Sequence, residues 1–322
     1  MGMTRILITG ASGFTGRHAC ARFAASGWEV VAVTSGRSGD ATEAEAASPP
    51  AAGPGGAVEW RRCDLTDREQ VRRLCLETSP HALLHLAGQN AVDRSWQDPV
   101  QTVSANAMAT MHLLEAMREN GGDGRMLVVG SMLGSLSGGT AHPYAFSKKL
   151  QVTSALAWHR WYGLQVLVAE PSNLVGPGRS GGLCGKLARW TAEAERSGGI
   201  FSPARVRPFR LSSLREQRDY LDVRDAVDAY ETLLRAGEAG STYALESGRM
   251  RSIGEIKEQF ERLSGVRLDW EIGDADSPSP EPRDATAIRA LGWQPRIPFE
   301  RSLSEALEEE RAIAGRRKGT AG

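Results

Sequence analysis

The chain has no excess of charge of either sign: 39 lysines and arginines face 39 aspartates and glutamates across 322 residues. No global field therefore draws it to nucleic acid or to an anionic membrane surface, and any acidic ligand must be held by a few placed donors. Cysteine is scarce. Cys20, Cys63, Cys75 and Cys184 are scattered with no C-x-x-C pair, which argues against a zinc site or a disulfide framework and fits a reducing compartment. No apolar run is long enough to span a bilayer, and the opening "MGMTRILITG" passes into a strand-like segment with no signal-peptide pattern. A cytoplasmic protein is expected, with no metal, no nucleic acid and no membrane as partner.

What is present alternates. Short β-rich runs, "RILIT" (5–9), "EVVAV" (29–33), "VEWRRC" (58–63), "ALLHLA" (82–87), "RMLVVG" (125–130) and "LQVLVAE" (164–170), are mostly separated by helix-like stretches. The latter include "GRHACARFAASG" (16–27), "DREQVRRLCLE" (67–77) and "VQTVSANAMATMHLLEAMREN" (100–120). Near-continuous apolar strands between helices predict an α/β domain of the Rossmann type, a doubly wound parallel sheet covered on both faces. Residues 35–56 are rich in Gly, Ala, Ser and Pro and poor in large apolar side chains, so they read as a flexible surface insertion. Past residue 171 the alternation lapses. The expected organisation is a dinucleotide-binding domain over 1–171 and a smaller substrate-binding lobe over 172–322, with part of 219–246 returning to the first sheet.

"TGASGFTG" (9–16) follows the first strand and opens the first helix, with Gly10, Gly13 and Gly16 spaced G-x-x-G-x-x-G. Glycines let the backbone turn sharply and approach a pyrophosphate, and the helix N-terminus presents free N–H groups. A bare glycine turn can be punctuation, but a strand before it and a helix after it are the context of a dinucleotide fingerprint. At the end of the second strand an acidic residue would bind the ribose 2′-hydroxyl of NAD, whereas a 2′-phosphate calls for a cation. The strand runs out as "VAVTSGRSG" (31–39), with no acid before Asp40 and with Thr34, Ser35 and Arg37 at hand. Arg17, beside the last glycine, is a second candidate cation. NADP(H) is the expected cofactor and NAD(H) the alternative; as solvated residues, Arg17 and Arg37 would carry no such meaning.

"PYAFSKK" (143–149) places Tyr144 and Lys148 four apart, one above the other on a helix that Pro143 is suited to begin. An ammonium beside a phenol favours the phenolate, so a lowered tyrosine pKa and a general acid/base role are expected. Taken alone, such a pair is more often a solvated helix face.

The ordered series of motifs resembles the extended short-chain dehydrogenase/reductase family, the nucleotide-sugar epimerases, 4,6-dehydratases and 4-keto reductases. The similarity runs through the fingerprint, "CDLTD" (63–67), "HLAGQNAVDRSWQDP" (85–99), "NAMATMHLLEAMR" (106–118), "PYAFSKK", "EPSNLVGPG" (170–178), "QRDYLDVRDAVDAY" (217–230) and "LGWQPRIPFERSLSEAL" (291–307). "RSWQDP", "QRDYLDVRD" and "LARWTAEAERSGG" (187–199) are similar to the GDP-4-keto-6-deoxymannose reductases and their GDP-mannose dehydratase relatives.

The resemblance implies Ser131, Tyr144 and Lys148 as the catalytic trio. The family's usual hydroxyl-rich motif departs here to "GSMLGSLSGG" (130–139), with only Ser131 in the expected place. Cofactor contacts are implied for Gly10, Gly13, Phe14, Thr15, Gly16, Arg17, Arg37, Asp64, Leu65, Leu86, Ala87 and Gly88, together with Tyr144 and Lys148. Arg218 is assigned to the diphosphate of a nucleotide-diphosphate sugar, a task for which bidentate guanidinium bonds suit it. Asn173 is assigned to the pocket, with Arg94 and Arg189 as weaker candidates. Arg218 paired with Asp219 or Asp222 is the bland alternative. His85, His142 and Cys184 read as structural.

Family dehydratases carry a carboxylate soon after the active-site hydroxyl, whereas Met132, Leu133 and Gly134 follow Ser131. NADPH-dependent reduction of a 4-keto nucleotide sugar is therefore expected, before NAD-dependent epimerisation and then dehydration. A non-catalytic dinucleotide sensor would typically lose the tyrosine or lysine. The family also implies a homodimer built on helices such as 100–120 and 143–162.

Overall fold

The computed structural model describes residues 4–35, 58–132, 142–199, 206–275 and 279–319. Except for Ser35, the expected insertion 35–56 lies outside the described residues, and so does Arg37. In chain order the strands are β1 (Arg5–Thr9), β2 (Glu29–Thr34), β3 (Val58–Arg62), β4 (Ala82–His85), β5 (Arg125–Val129) and β6 (Gln165–Pro171). They continue with β7 (Asn173–Val175), β8 (Phe209–Leu211), β9 (Gln217–Asp222), β10 (Thr242–Leu245), β11 (Met250–Ser252) and β12 (Trp270–Ile272).

Two compact units divide the chain. The first comprises 1–171, 227–245 and 285–294. Its seven-stranded sheet has the order β10-β6-β5-β4-β1-β2-β3, and every pairing in it is parallel. Parallel strands need crossover helices, which cover both faces and leave the strands apolar throughout. Leu7, Val31, Leu83, Met126, Val128, Val166 and Val168 are accordingly at most 1% exposed. Burying each such side chain stabilises the fold by about 1.5–3 kcal/mol, which makes the sheet a rigid base for the loops at its ends. β1 pairs with β2 on one side and β4 on the other. The chain order reverses at that point, and such a crevice at the carboxyl ends of the strands is where ligands settle in open α/β sheets.

The helix Pro143–Tyr162 follows β5. His142 caps it, accepting at Nδ1 from the Ala145 N–H at 3.1 Å, and Pro143 occupies the first turn where its missing N–H costs nothing. Gly163 ends the helix at φ 72°, a left-handed conformation that favours glycine.

The second unit comprises 172–226, 246–284 and 295–322. In its three-stranded sheet β9 lies between β7, to which it is parallel, and β11, to which it is antiparallel; β8 and β12 form a separate parallel pair. The helices Leu183–Ser197, Ile253–Leu263 and Phe299–Gly319 share a core containing Leu187, Phe260, Leu303 and Leu307, all fully buried. No described helix is long and apolar enough to cross a membrane. Among the described residues no cluster of three or more His, Cys, Asp or Glu could hold a metal ion.

Candidate active site

The glycine-rich turn is packed too closely for side chains. Gly10 has φ 68°, and a Cβ on it would stand 2.8 Å from the Ala87 amide nitrogen. A Cβ on Gly16 would stand 2.1 Å from the Gly10 carbonyl oxygen, so the helix can begin at this depth only with glycine there. Gly13 is the N-cap of the helix Phe14–Ala25, and no side chain caps it. Its first N–H groups therefore form an end suited to an anion. Arg17 donates from Nε to the Ser12 carbonyl at 3.1 Å, which ties its guanidinium to the loop. Phe14 meets His18 edge-on at 5.7 Å, and Thr15 is half-buried beside it.

The neighbouring strand ends converge on this turn. The Ala87 N–H donates to Thr9 Oγ1 at 3.2 Å, linking Leu86, Ala87 and Gly88 beyond β4 to the end of β1. A Cβ on Gly88 would press on Asn106 Oδ1 at 2.7 Å and stand 3.8 Å from Lys148 Nζ. After β3, Asp64 accepts at Oδ1 from the Thr66 amide and hydroxyl, at 3.0 and 2.7 Å, while the Leu65 carbonyl meets His112 Nδ1 at 3.0 Å.

Ser131, Tyr144 and Lys148 come together at the end of β5. The Ser131 side chain hydrogen-bonds the Tyr144 phenol, which is 6% exposed and stacks on the His142 ring at 6.0 Å. Lys148, one turn further along the helix, is 4% exposed, and its Nζ donates to the Val129 carbonyl at 3.1 Å and to Gln151 Oε1 at 2.8 Å. The expected lowering of the phenol pKa is not what this environment produces. Burial raises it, against a smaller opposing effect of the Ser131 hydrogen bond, and burial also lowers the Lys148 ammonium to about 8. Desolvation penalises the charged form of each group and dominates both shifts.

The second unit holds Arg218, Asn173 and Arg189. Arg218, on β9, is ion-paired to Glu216 and donates to the Gln217 carbonyl at 2.8 Å. The bland alternative has Asp219 or Asp222 as its partner. Asp219 gathers the Ser247, Gly248 and Arg249 amides, and Asp222 pairs with Arg224 at 2.8 Å. Asn173 donates from Nδ2 to the Asp219 carbonyl at 3.0 Å. Arg189 lies 3.4 Å from Glu310 and lines a cavity of about 270 Å³ with Arg179, Glu193 and Arg196. Arg94 is exposed on the short helix Val92–Gln97 in the first unit.

Four residues absent from the expected site stand behind it. Asn106 donates to Ser147 Oγ at 2.8 Å and accepts from the Gln89 N–H at 2.7 Å. It sits in a π-helical turn, Ser104–Met108, which widens the helix there. Thr110, Gln151 and His85, none of them exposed, extend the polar cluster. The available signal was spacing: Gln151 lies three after Lys148 on one helix face, and Asn106 and Thr110 lie four apart on another.

Residues 6–245 match the NAD dependent epimerase/dehydratase family. The chain is 29% identical to GDP-6-deoxy-D-mannose reductase of Pseudomonas aeruginosa, over 95% of this chain and 96% of that one. It is 28% identical to UDP-glucose 4-epimerase of Mycolicibacterium smegmatis, over 94% and 97%. Among solved structures, RMD from Pseudomonas aeruginosa complexed with NADPH superposes with a TM-score of 0.78 at 28% identity, covering 97% of this chain and 100% of that one. With a glycine turn at the β1 switch point, a Ser–Tyr–Lys cluster and a match over most of its length, the chain belongs to the NAD dependent epimerase/dehydratase family.

Proposed function

We propose that this protein reduces the 4-keto group of a nucleotide-diphosphate sugar with NADPH. The observation that carries the reading is the buried Tyr144 phenol, hydrogen-bonded by Ser131 and followed one helical turn later by the buried Lys148. NADPH fits the first unit, because Gly10 and Gly16 admit a close backbone approach and the Phe14–Ala25 helix offers an uncapped N-terminus. When bound it supplies the hydride that adds to the carbonyl carbon. Tyr144 gives its phenolic proton to the carbonyl oxygen, Ser131 hydrogen-bonds that oxygen as charge develops, and Lys148 meets the cofactor ribose and stabilises the phenolate left on Tyr144. A raised phenol pKa keeps Tyr144 protonated and ready to donate at neutral pH.

Preference for NADPH rests on the missing acid after β2, on Arg17 beside the glycine turn, and on the NADPH held by the P. aeruginosa protein. Arg218 is assigned to the diphosphate and Asn173 to the pocket. Epimerisation is the second reading, favoured by the similarity to UDP-glucose 4-epimerase. The experiment is incubation of purified protein with a panel of 4-keto and ordinary nucleotide sugars plus NADPH. Loss of nicotinamide absorbance with a product two mass units heavier supports reduction; an isobaric product without cofactor consumption would sink it in favour of epimerisation.

The homodimer that the family resemblance implies would use a surface of the first unit, where Trp96, Val100 and Phe146 are 63%, 76% and 42% exposed along an apolar cavity of about 500 Å³. Light scattering tests it, and a monomer at micromolar concentration would reject it.

A further inference from the structure

The hydrogen bonds behind Lys148 can be satisfied in one way only. An ammonium has no acceptor, so the amide end of Gln151 at 2.8 Å must be the oxygen, and its nitrogen donates to Thr110 Oγ1 at 2.9 Å. The Thr110 hydroxyl proton is committed to the Asn106 carbonyl at 2.7 Å, because a carbonyl can only accept. Thr110 Oγ1 must then accept from His85 Nε2 at 2.8 Å, which places the imidazole proton on Nε2. Nδ1 is left to accept from the Thr9 hydroxyl at 2.7 Å, and Thr9 Oγ1 accepts from the Ala87 amide at 3.2 Å. Thr9, His85, Thr110 and Gln151 are all fully buried, so no solvent competes for these bonds. A neutral imidazole is the form this network needs, and burial holds His85 down at about 3.

We propose that Gln151, anchored through Thr110 to His85, is a positioning residue that fixes the Lys148 ammonium and favours its charged form, so setting the upper pH limit of nicotinamide cofactor binding. This inference rests on the assignment of Lys148 to the cofactor ribose. The amide oxygen is a hydrogen-bond acceptor for the charged form, in a place where burial otherwise penalises it. The titratable groups facing Lys148 are His85 from β4, which stays neutral, and Tyr144 from its own helix. β5 presents the Val129 carbonyl to Lys148, and the helix Ala109–Glu119 presents the neutral Thr110 to Gln151. On β6 the buried Glu170 sits against Gly130, where a Cβ would be 3.3 Å from its Cγ.

The test follows binding rather than turnover. NADPH is titrated by fluorescence between pH 6.5 and 10 into the wild type, Gln151→Leu and Gln151→Glu, with the melting temperature of each recorded. The wild type is expected to lose affinity with a midpoint near 8, the value to which burial lowers Lys148. Gln151→Leu removes the acceptor and shifts the midpoint down by about 1 pH unit, or roughly tenfold in affinity at a fixed alkaline pH; Gln151→Glu shifts it up by at least as much. If Gln151→Leu does not fold, Gln151→Glu alone decides the matter by the direction of its shift. Coincident midpoints in the folded proteins would overturn the role of Gln151, whatever their melting temperatures. A wild type that binds neither NADPH nor NADH would overturn the underlying ribose assignment instead.

Discussion

The Ser131 side chain hydrogen-bonds the Tyr144 phenol although the two stand 144 − 131 = 13 residues apart, one at the end of β5 and the other in the first turn of a helix. The bond aims the phenol oxygen, while burial keeps the proton on it. Lys148, one turn on, is fixed independently by Val129 and Gln151. The two groups can therefore be separated by mutation.

Tyr144→Phe removes the transferable proton and leaves the glycine turn untouched. Turnover of a 4-keto nucleotide sugar should fall by on the order of 10²–10⁴-fold, with NADPH affinity nearly unchanged. Lys148→Met should damage both, since it removes the proposed ribose contact and leaves Gln151 Oε1 without its donor. Steady-state kinetics paired with calorimetric cofactor titration read the two effects. Retention of most activity by Tyr144→Phe would mean that another group supplies the proton.

NADPH should bind more tightly than NADH, because no acid stands between "VAVTS" and Asp40 to meet a ribose 2′-hydroxyl at the strand's end. Arg17→Ala should weaken NADPH more than NADH, for only the former carries the 2′-phosphate. Calorimetry with both cofactors on both proteins measures this. Tighter NADH binding by the wild type would reverse the preference and strengthen the epimerase reading.

His85 makes acid stability a further test. Its folded-state pKa is held at about 3, below the unfolded value near 6.5, so in that interval the unfolded chain binds a proton that the native one refuses. The stabilisation due to neutral His85 is fully present above pH 6.5 and is lost as pH falls towards 3, by on the order of 5 kcal/mol at most. Urea melts at pH 7 and pH 4.5 of the wild type and His85→Gln should show a smaller acid loss in the variant. Equal losses would place the acid sensitivity elsewhere.

Much of the first unit was legible because its physics is local. "RILIT", "EVVAV" and "RMLVVG" are apolar on both faces, as strands under two helical layers must be, and G-x-x-G-x-x-G between a strand and a helix has few structural readings. The second unit left less trace. β7, β8, β11 and β12 are three residues each, too short for alternation to show. The polar cluster was hidden for another reason: Thr9, His85, Thr110 and Gln151 come from four elements and meet only once β1 and β4 pair in register, Thr9 beside His85. The phenol's pKa misled because a one-dimensional pattern shows a neighbouring charge but not the burial that outweighs it.

Arg218 offers the most direct probe of substrate class. A chain with no net charge must hold a diphosphate by individual donors, and Arg218 carries a guanidinium, a group suited to bidentate bonding, on strand β9. In the structure its guanidinium is ion-paired to Glu216, with side-chain exposures of 25% and 15%. Such a carboxylate can orient a guanidinium without consuming all five of its N–H groups. Arg218→Ala should therefore raise the KM for a nucleotide-linked 4-keto sugar by on the order of tenfold or more, while changing kcat less, the pattern of a lost binding contact. Glu216→Gln should give a smaller effect in the same direction, because the arginine keeps its charge but loses its orienting partner. Free 4-keto sugars, which lack the diphosphate, should be very poor substrates for the wild type and should be no worse for Arg218→Ala. Kinetics with free and nucleotide-linked sugars on the three proteins provide the comparison. Equal efficiency of the wild type on the free sugar would remove the diphosphate from recognition, and with it the role given to Arg218.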